Sequence, residues 1–170
     1  MTRRVTTMLV AFSVVLTAAA IARAHCQIPC GIYDDPMRFT QLREHLTTIE
    51  KSMKQIEELS QADNPDWNQI VRWVMNKEDH ANQFSEIVTY YFLAQRIKPT
   101  DSSDRSARIK YLRELELLHH MIVHAMKAKQ TTDLEHVETL RSLVDKFEAS
   151  YLGDKAEKHA HEHDGHSHSH

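Results

Sequence analysis

The chain has 170 residues, with 21 Lys and Arg against 24 Asp and Glu, a formal net charge of −3, and only three Gly, four Pro and two Cys. This balance, which becomes more acidic once the leader described below is removed, argues against nucleic acid or an anionic membrane surface as partner. Few Gly and Pro among many Leu, Glu, Lys and Gln favour helices over a sheet.

Residues 1–24 read as a cleaved signal peptide. Arg3 and Arg4 form a short basic region, and residues 8–21 are an apolar run built on Leu9, Val10, Phe12, Val14, Val15, Leu16 and Ile21. The run is too short for a comfortable membrane span. Ala22-Arg23-Ala24 supplies a small-x-small cleavage site, which places the cut between Ala24 and His25. An uncleaved anchor is the alternative, and the arginine pair leaves the export route open. Cleavage by a processing peptidase would leave 146 residues, the size of one domain. It would also remove Arg3, Arg4 and Arg23 and no acid, which takes the net charge from −3 to −6. The mature protein is therefore expected to be exported, periplasmic or extracellular.

Residues 25–34 open the mature chain with His25-Cys26-Gln27-Ile28-Pro29-Cys30-Gly31-Ile32-Tyr33, and they hold both cysteines. With His25 as the new N-terminus, its amine, the Cys26 amide nitrogen and the two thiolates can close a planar four-donor set. Ni(II) or Cu(II) prefers such a plane and Zn(II) does not. The His25 imidazole then remains as a fifth, axial ligand. Pro29 can kink the chain and Gly31 permits conformations closed to other residues, so the two can turn Cys30 back towards Cys26. A small disulfide between Cys26 and Cys30 is the competing reading in an exported chain.

Residues 35–153 read as an antiparallel up-and-down four-helix bundle, all-α. Asp35-Pro36 marks the first helix start, and Phe39, Leu42, Leu46, Ile49, Met53, Ile56 and Leu59 form its stripe to about Gln61. Asn64-Pro65 repeats the start signal, with Ile70, Val71, Val74, Ala81, Phe84, Ile87, Val88, Tyr91 and Phe92 carrying the second helix towards Pro99. Residues 100–103 connect to a third stripe of Ile109, Leu112, Leu115, Leu118, Ile122 and Met126. Thr132-Asp133-Leu134-Glu135 fits a capping box, Leu134, Val137, Leu140, Val144, Phe147 and Tyr151 form the fourth stripe, and Gly153 is the stop.

Residues 154–170 carry His159, His161, His163, His166, His168 and His170 and no apolar residue larger than Ala. Nothing there offsets the entropy of ordering, so a disordered His-rich tail is expected. Neutral imidazoles suit nickel, zinc or copper, and a solvated polar tail is the alternative. His120 and His124 lie one turn apart without a third ligand and read as surface or interface histidines. Trp67 and Trp73 read as packing residues, and Lys110 with Glu114 as a solvated helix face. There is no Gly-rich phosphate loop and no Gly-x-Ser-x-Gly nucleophile motif.

The stretch His25-Cys26-x-x-Pro29-Cys30-Gly31-x-Tyr33 resembles the N-terminal hook of the nickel-containing superoxide dismutases at every fixed position of that motif. The resemblance implies a four-helix bundle, one nickel ion per subunit and a homohexamer. It also implies disproportionation of superoxide to dioxygen and hydrogen peroxide by Ni(II)/Ni(III) cycling. His25, Cys26 and Cys30 would be the metal ligands, and Tyr33 would stand over the open face to admit and orient a small anion. Gln27 replaces an acid, at a position where the backbone amide matters. In the family the axial imidazole is held by a Glu on the first helix and an Arg on the second, whose places fall near Leu42 or Glu44 and near His80. Glu44 and His80 are thus the candidates here, and Tyr90 or Tyr91 is the candidate second tyrosine. A separate nickel donor is a possible partner. An exported nickel- or copper-binding protein without catalysis is the alternative function, and a helical module with a disulfide is a third.

Overall fold

Asp35 opens the first helix, α1 (Asp35–Ser60), with Pro36 in the first turn, where a missing amide hydrogen costs nothing. The structure, a computed structural model, describes residues 35–100 and 103–153. The leader, the hook with His25, Cys26, Cys30 and Tyr33, and the His-rich tail lie outside the described residues. Along α1, Phe39, Leu42, Leu46, Ile49 and Met53 are fully buried at alternating steps of three and four. That spacing is one face of a 3.6-residue helix, as the sequence predicts.

The second helix, α2 (Trp67–Glu86), begins two residues later than Asn64-Pro65 suggests. The reason is Asp66, whose carboxylate accepts from the Gln69 amide at 3.1 Å and so caps the helix one residue after the proline. From Glu86 the chain runs without a break into a π-helical segment, Ile87–Arg96. There Ile97 N donates to Phe92 O at 3.0 Å, a bond spanning five residues instead of four. The wider turn lets the pairs Ile87–Val88 and Tyr91–Phe92 all face inward.

The third helix, α3 (Arg105–Gln130), is capped by Asp104, which accepts from the Ser106 and Ala107 amides at 2.8 and 3.1 Å. Its buried face is Glu114, Leu118, Met121, Ala125 and Ala128, whereas Ile109, Leu112 and Met126 are exposed. The stripe read from the sequence is therefore rotated from the true one. Two small alanines mark the inward face, because they let α3 approach its neighbours closely, and larger apolar residues point out. Glu114 belongs to the inward face as well: it accepts from Ser150 Oγ at 3.1 Å and is not the solvated group expected.

The fourth helix, α4 (Glu135–Leu152), does not form the predicted capping box. Thr132 donates its hydroxyl to Glu57 on α1, and the first-turn amide of Glu135 is taken by Asp133 at 2.9 Å. At the far end Gly153 adopts φ +63 and its amide donates to Ala149 O, a left-handed stop open to glycine at no steric cost.

Cross-links give the topology. On α1 and α4, Asp35 meets Tyr151, Arg43 meets Asp145 and Glu148, and Glu50 meets Arg141, while Glu57 meets Thr132 just before α4, so the two run antiparallel. His45 with His80 and Ser52 with Asn76 set α2 antiparallel to α1 in the same way. Lys77 on α2 reaches the last carbonyls of α3, and Glu114 on α3 reaches Ser150 on α4. All regular structure among the described residues is helical, and it encloses one core. Towards the Asp35 end that core is aromatic: Phe39, Phe92 and Phe147 lie with ring centroids 5.0 to 5.6 Å apart, with Tyr151 against them.

Candidate metal centre

Asp35 follows directly on residues 25–34, so the end of the bundle around it is where the hook joins the folded body. Asp35 is half-buried and collects three donors: Tyr91 Oη at 2.6 Å, Arg96 Nε at 3.1 Å and Tyr151 Oη at 3.0 Å. Arg96 also donates to Tyr91 Oη at 2.9 Å and lies 4.5 Å from the Tyr91 ring centroid. Burial pulls the Asp35 carboxyl upward, but the bonds from Tyr91, Tyr151 and Arg96 and the charge of Arg96 outweigh it and hold it below its ordinary value. Burial, then the adjacent Asp35 carboxylate, pushes both tyrosine hydroxyls up, so they stay protonated donors. Asp35 is thus less a helix cap than a clamp that joins the start of α1 to the π-helical segment and the end of α4.

Next to this clamp, α1 and α2 frame a cleft of about 520 Å³ lined by Arg38, Gln41, Glu44, His45, Gln83, Glu86, Ile87 and Tyr90. Arg38 lies over the Tyr91 ring at 4.7 Å and donates to Gln41 Oε1 at 2.8 Å, which ties the cleft to the clamp. In its wall, His45 Nδ1 and His80 Nδ1 stand 2.9 Å apart. One ring must carry the hydrogen and the other accept it, so the pair holds one proton between facing nitrogens. Burial, and then the proximity of His80, lower the His45 pKa; Glu44 opposes them.

Of the residues read from the sequence, Glu44 lines the cleft and His80 reaches it through His45. His45, Arg38 and the Asp35–Arg96–Tyr151 clamp were not anticipated. His45 follows Glu44 on the helix face beside the apolar stripe, and the sequence holds no sign of its partner 35 positions away. Tyr91 is fully buried, whereas Tyr90 is 47% exposed and lines the cleft, so the two adjacent tyrosines have separate surroundings. Trp67 is 68% exposed and is not a packing residue. His120 is exposed, and His124 packs edge to face on His136 with centroids 5.4 Å apart. No group of three or more His, Cys, Asp or Glu side chains arranged to hold a metal occurs among the described residues.

A family model described as nickel-containing superoxide dismutase matches residues 20–155. The chain belongs to that family. The match takes in the hook sequence and all four helices and ends before the histidines of the tail. Neither curated proteins nor solved structures give a match. As a nickel superoxide dismutase the chain is an enzyme, an oxidoreductase acting on superoxide with nickel as cofactor. Membership does not favour the reading as a metal-handling protein without catalysis. Two thiol side chains, Cys26 and Cys30, fall within the matched residues, and thiolates are soft donors that would suit nickel.

Proposed function

We propose that the chain dismutates superoxide at its processed N-terminus, with nickel held by the His25 amine and imidazole, the Cys26 amide nitrogen and the Cys26 and Cys30 thiolates. The observation that carries this reading is the family match running through residues 25–34. When bound, nickel supplies a one-electron couple, Ni(II)/Ni(III), able to oxidise one superoxide to dioxygen and reduce a second, with two protons, to hydrogen peroxide. The residues explain why such a couple is accessible. An anionic amide and two thiolates would donate enough electron density to make Ni(III) attainable, and the His25 imidazole would add a further nitrogen donor. Tyr33 limits the open face and orients a small anion through its hydroxyl.

Processing is part of the mechanism, because the His25 amine is an amide bonded to Ala24 until the leader is cut. The leader, the hook, the bundle and the tail accordingly act as four units, 1–24, 25–34, 35–153 and 154–170, and the mature enzyme is exported. Glu44 and His80 are the proposed holders of the axial imidazole. Support comes from Glu44 lining the cleft beside His45, whose Nδ1 faces that of His80. A homohexamer is proposed from the family, with support from the outward apolar row Trp67, Val71, Val74 and Met75 on α2.

The test is made on exported protein. Its N-terminal sequence should begin His-Cys-Gln-Ile, and nickel-loaded samples should remove pulsed superoxide rapidly and give a rhombic Ni(III) paramagnetic signal split by one axial nitrogen. Cys26→Ser should abolish both the decay and the signal while leaving the helical circular dichroism unchanged. Persistent dismutation in Cys26→Ser, or a mature chain that begins elsewhere, would overturn the assignment.

A further inference from the structure

His45 sits on α1 between the buried Leu42 and Leu46, and His80 sits on α2 beside the buried Ala81, so both side chains leave firmly packed backbone. Further along the same two helices, Asn76 Nδ2 donates to Ser52 Oγ at 3.0 Å and fixes their register. Both rings are half-buried, and their Nδ1 atoms face each other at 2.9 Å with ring centroids 5.1 Å apart. Among the described residues, the one hydrogen-bond partner of each ring is the other.

Two facing imidazole nitrogens are also half of a metal site. Imidazole nitrogen binds borderline divalent ions at about 2.0–2.1 Å, so two of them on one ion stand about 2.9 Å apart at a right angle and about 3.3 Å apart at the tetrahedral angle. The first value is the separation found, and a small rotation of either side chain gives the second. His45 lines the cleft of about 520 Å³ between α1 and α2, which has room for water, and Glu44 stands exposed in the same wall. The Glu44 carboxylate acts on His45, where it favours added positive charge. No third side chain is already in place among the described residues, so cleft water fills the remaining positions unless Glu44 turns in. His124 and His136 pack at a similar distance, with centroids 5.4 Å apart, but their Nδ1 atoms are buried and do not meet.

We propose that His45 Nδ1 and His80 Nδ1 form a second metal site, a two-histidine chelate that takes one Ni(II), Cu(II) or Zn(II) ion and cross-links α1 to α2. The inference goes beyond the hook and needs none of its residues. On binding, the hydrogen now shared between the Nδ1 atoms passes through water to Nε2 of the ring that carried it, so both rings are Nε2-protonated and no net proton is released. Each ring thereby keeps an N–H donor, which leaves His80 able to hold the axial imidazole as well.

The experiment uses the processed full-length chain with Cys26→Ser and Cys30→Ser, so that no hook thiolate takes up metal, and compares it with the same chain carrying His45→Asn, His80→Asn or His124→Asn. Asn puts an amide where Nδ1 stood, which keeps a polar contact and loses the metal ligand. Excess Zn(II) should raise the urea midpoint of the parent, because an ion bound by the folded helices alone stabilises them. The rise should be lost with His45→Asn and with His80→Asn and kept with His124→Asn. Histidines elsewhere in the sequence are common to all these chains and cancel in the comparison. In imidazole nitrogen NMR spectra of the parent, Zn(II) should move the His45 and His80 Nδ1 resonances to metal-bound values with both Nε2 atoms protonated, a readout that needs no histidine variant. No rise in the parent, a rise that survives either substitution, or Nδ1 resonances that do not respond would overturn the site. None of these results bears on dismutation by the intact hook.

Discussion

At the scale of single residues, the groups that matter most are polar ones held between helices. Asp35 illustrates how a residue can read one way and act another: Asp-Pro is a helix-start signal, yet its carboxylate serves Tyr91, Arg96 and Tyr151 from two other helices. The His45–His80 pair leads to a pH prediction. In the folded chain the His45 pKa lies below its ordinary 6.5, so in the window below 6.5 the unfolded chain binds a proton that folded His45 does not. Stability contributed by the neutral ring is therefore present above that pH and lost as pH falls through the window. The urea midpoint should drop between about pH 7.5 and about pH 5.5, and the drop should shrink in His45→Gln, which keeps a polar side chain without the titration. An identical pH dependence in both proteins would rule this out.

At the scale of elements, each helix end found its own solution. Asp66 and Asp104 cap α2 and α3 locally, whereas the start of α4 gives up Thr132 to Glu57. The C-terminal end of α3 is closed from outside. Lys77 on α2 is buried and donates to Lys129 O at 2.7 Å and Thr131 O at 3.1 Å, satisfying carbonyls that an α-helix leaves unpaired at its last turn. Lys77→Met keeps the buried length and removes the donor, so it should cost about 1–3 kcal/mol in urea unfolding. A cost indistinguishable from zero would mean the carbonyls find other partners. The π-helical segment likewise has a tertiary cause: Tyr91 must reach Asp35 while Phe92 enters the aromatic core, and a five-residue turn lets both side chains point inward.

At the scale of the whole molecule, the core is closed but the surface is not uniform. Trp67 and Met75 are 68% and 60% exposed, and they stand with Val71 on one face of α2 at helical spacing. If that face lies between subunits of the proposed hexamer, Met75→Glu should shift sedimentation towards smaller species and leave helical content intact, since nothing in the core is touched. Unchanged sedimentation would place the interface elsewhere.

The order and number of the helices and most of the α1, α2 and α4 stripes were legible from local pattern, and so was the family, through the His25–Tyr33 motif. Helix periodicity, Pro and Gly positions and the His25–Tyr33 motif are properties of neighbouring residues. Three features were hidden: the true buried face of α3, the clamp at Asp35, and the His45–His80 pair. In α3 the chain offers two apolar faces, and only the approach of the other helices selects the one lined by Ala125 and Ala128. The clamp and the pair join residues 35 to 116 positions apart, whose meeting is set by how four helices pack and not by anything in their own segments. So the sequence by itself determined the family, and with it the nickel cofactor, and the order of the helices. The tertiary structure alone decided which side chains surround Asp35, and that Tyr151 is among them, because antiparallel packing returns the end of α4 to the start of α1.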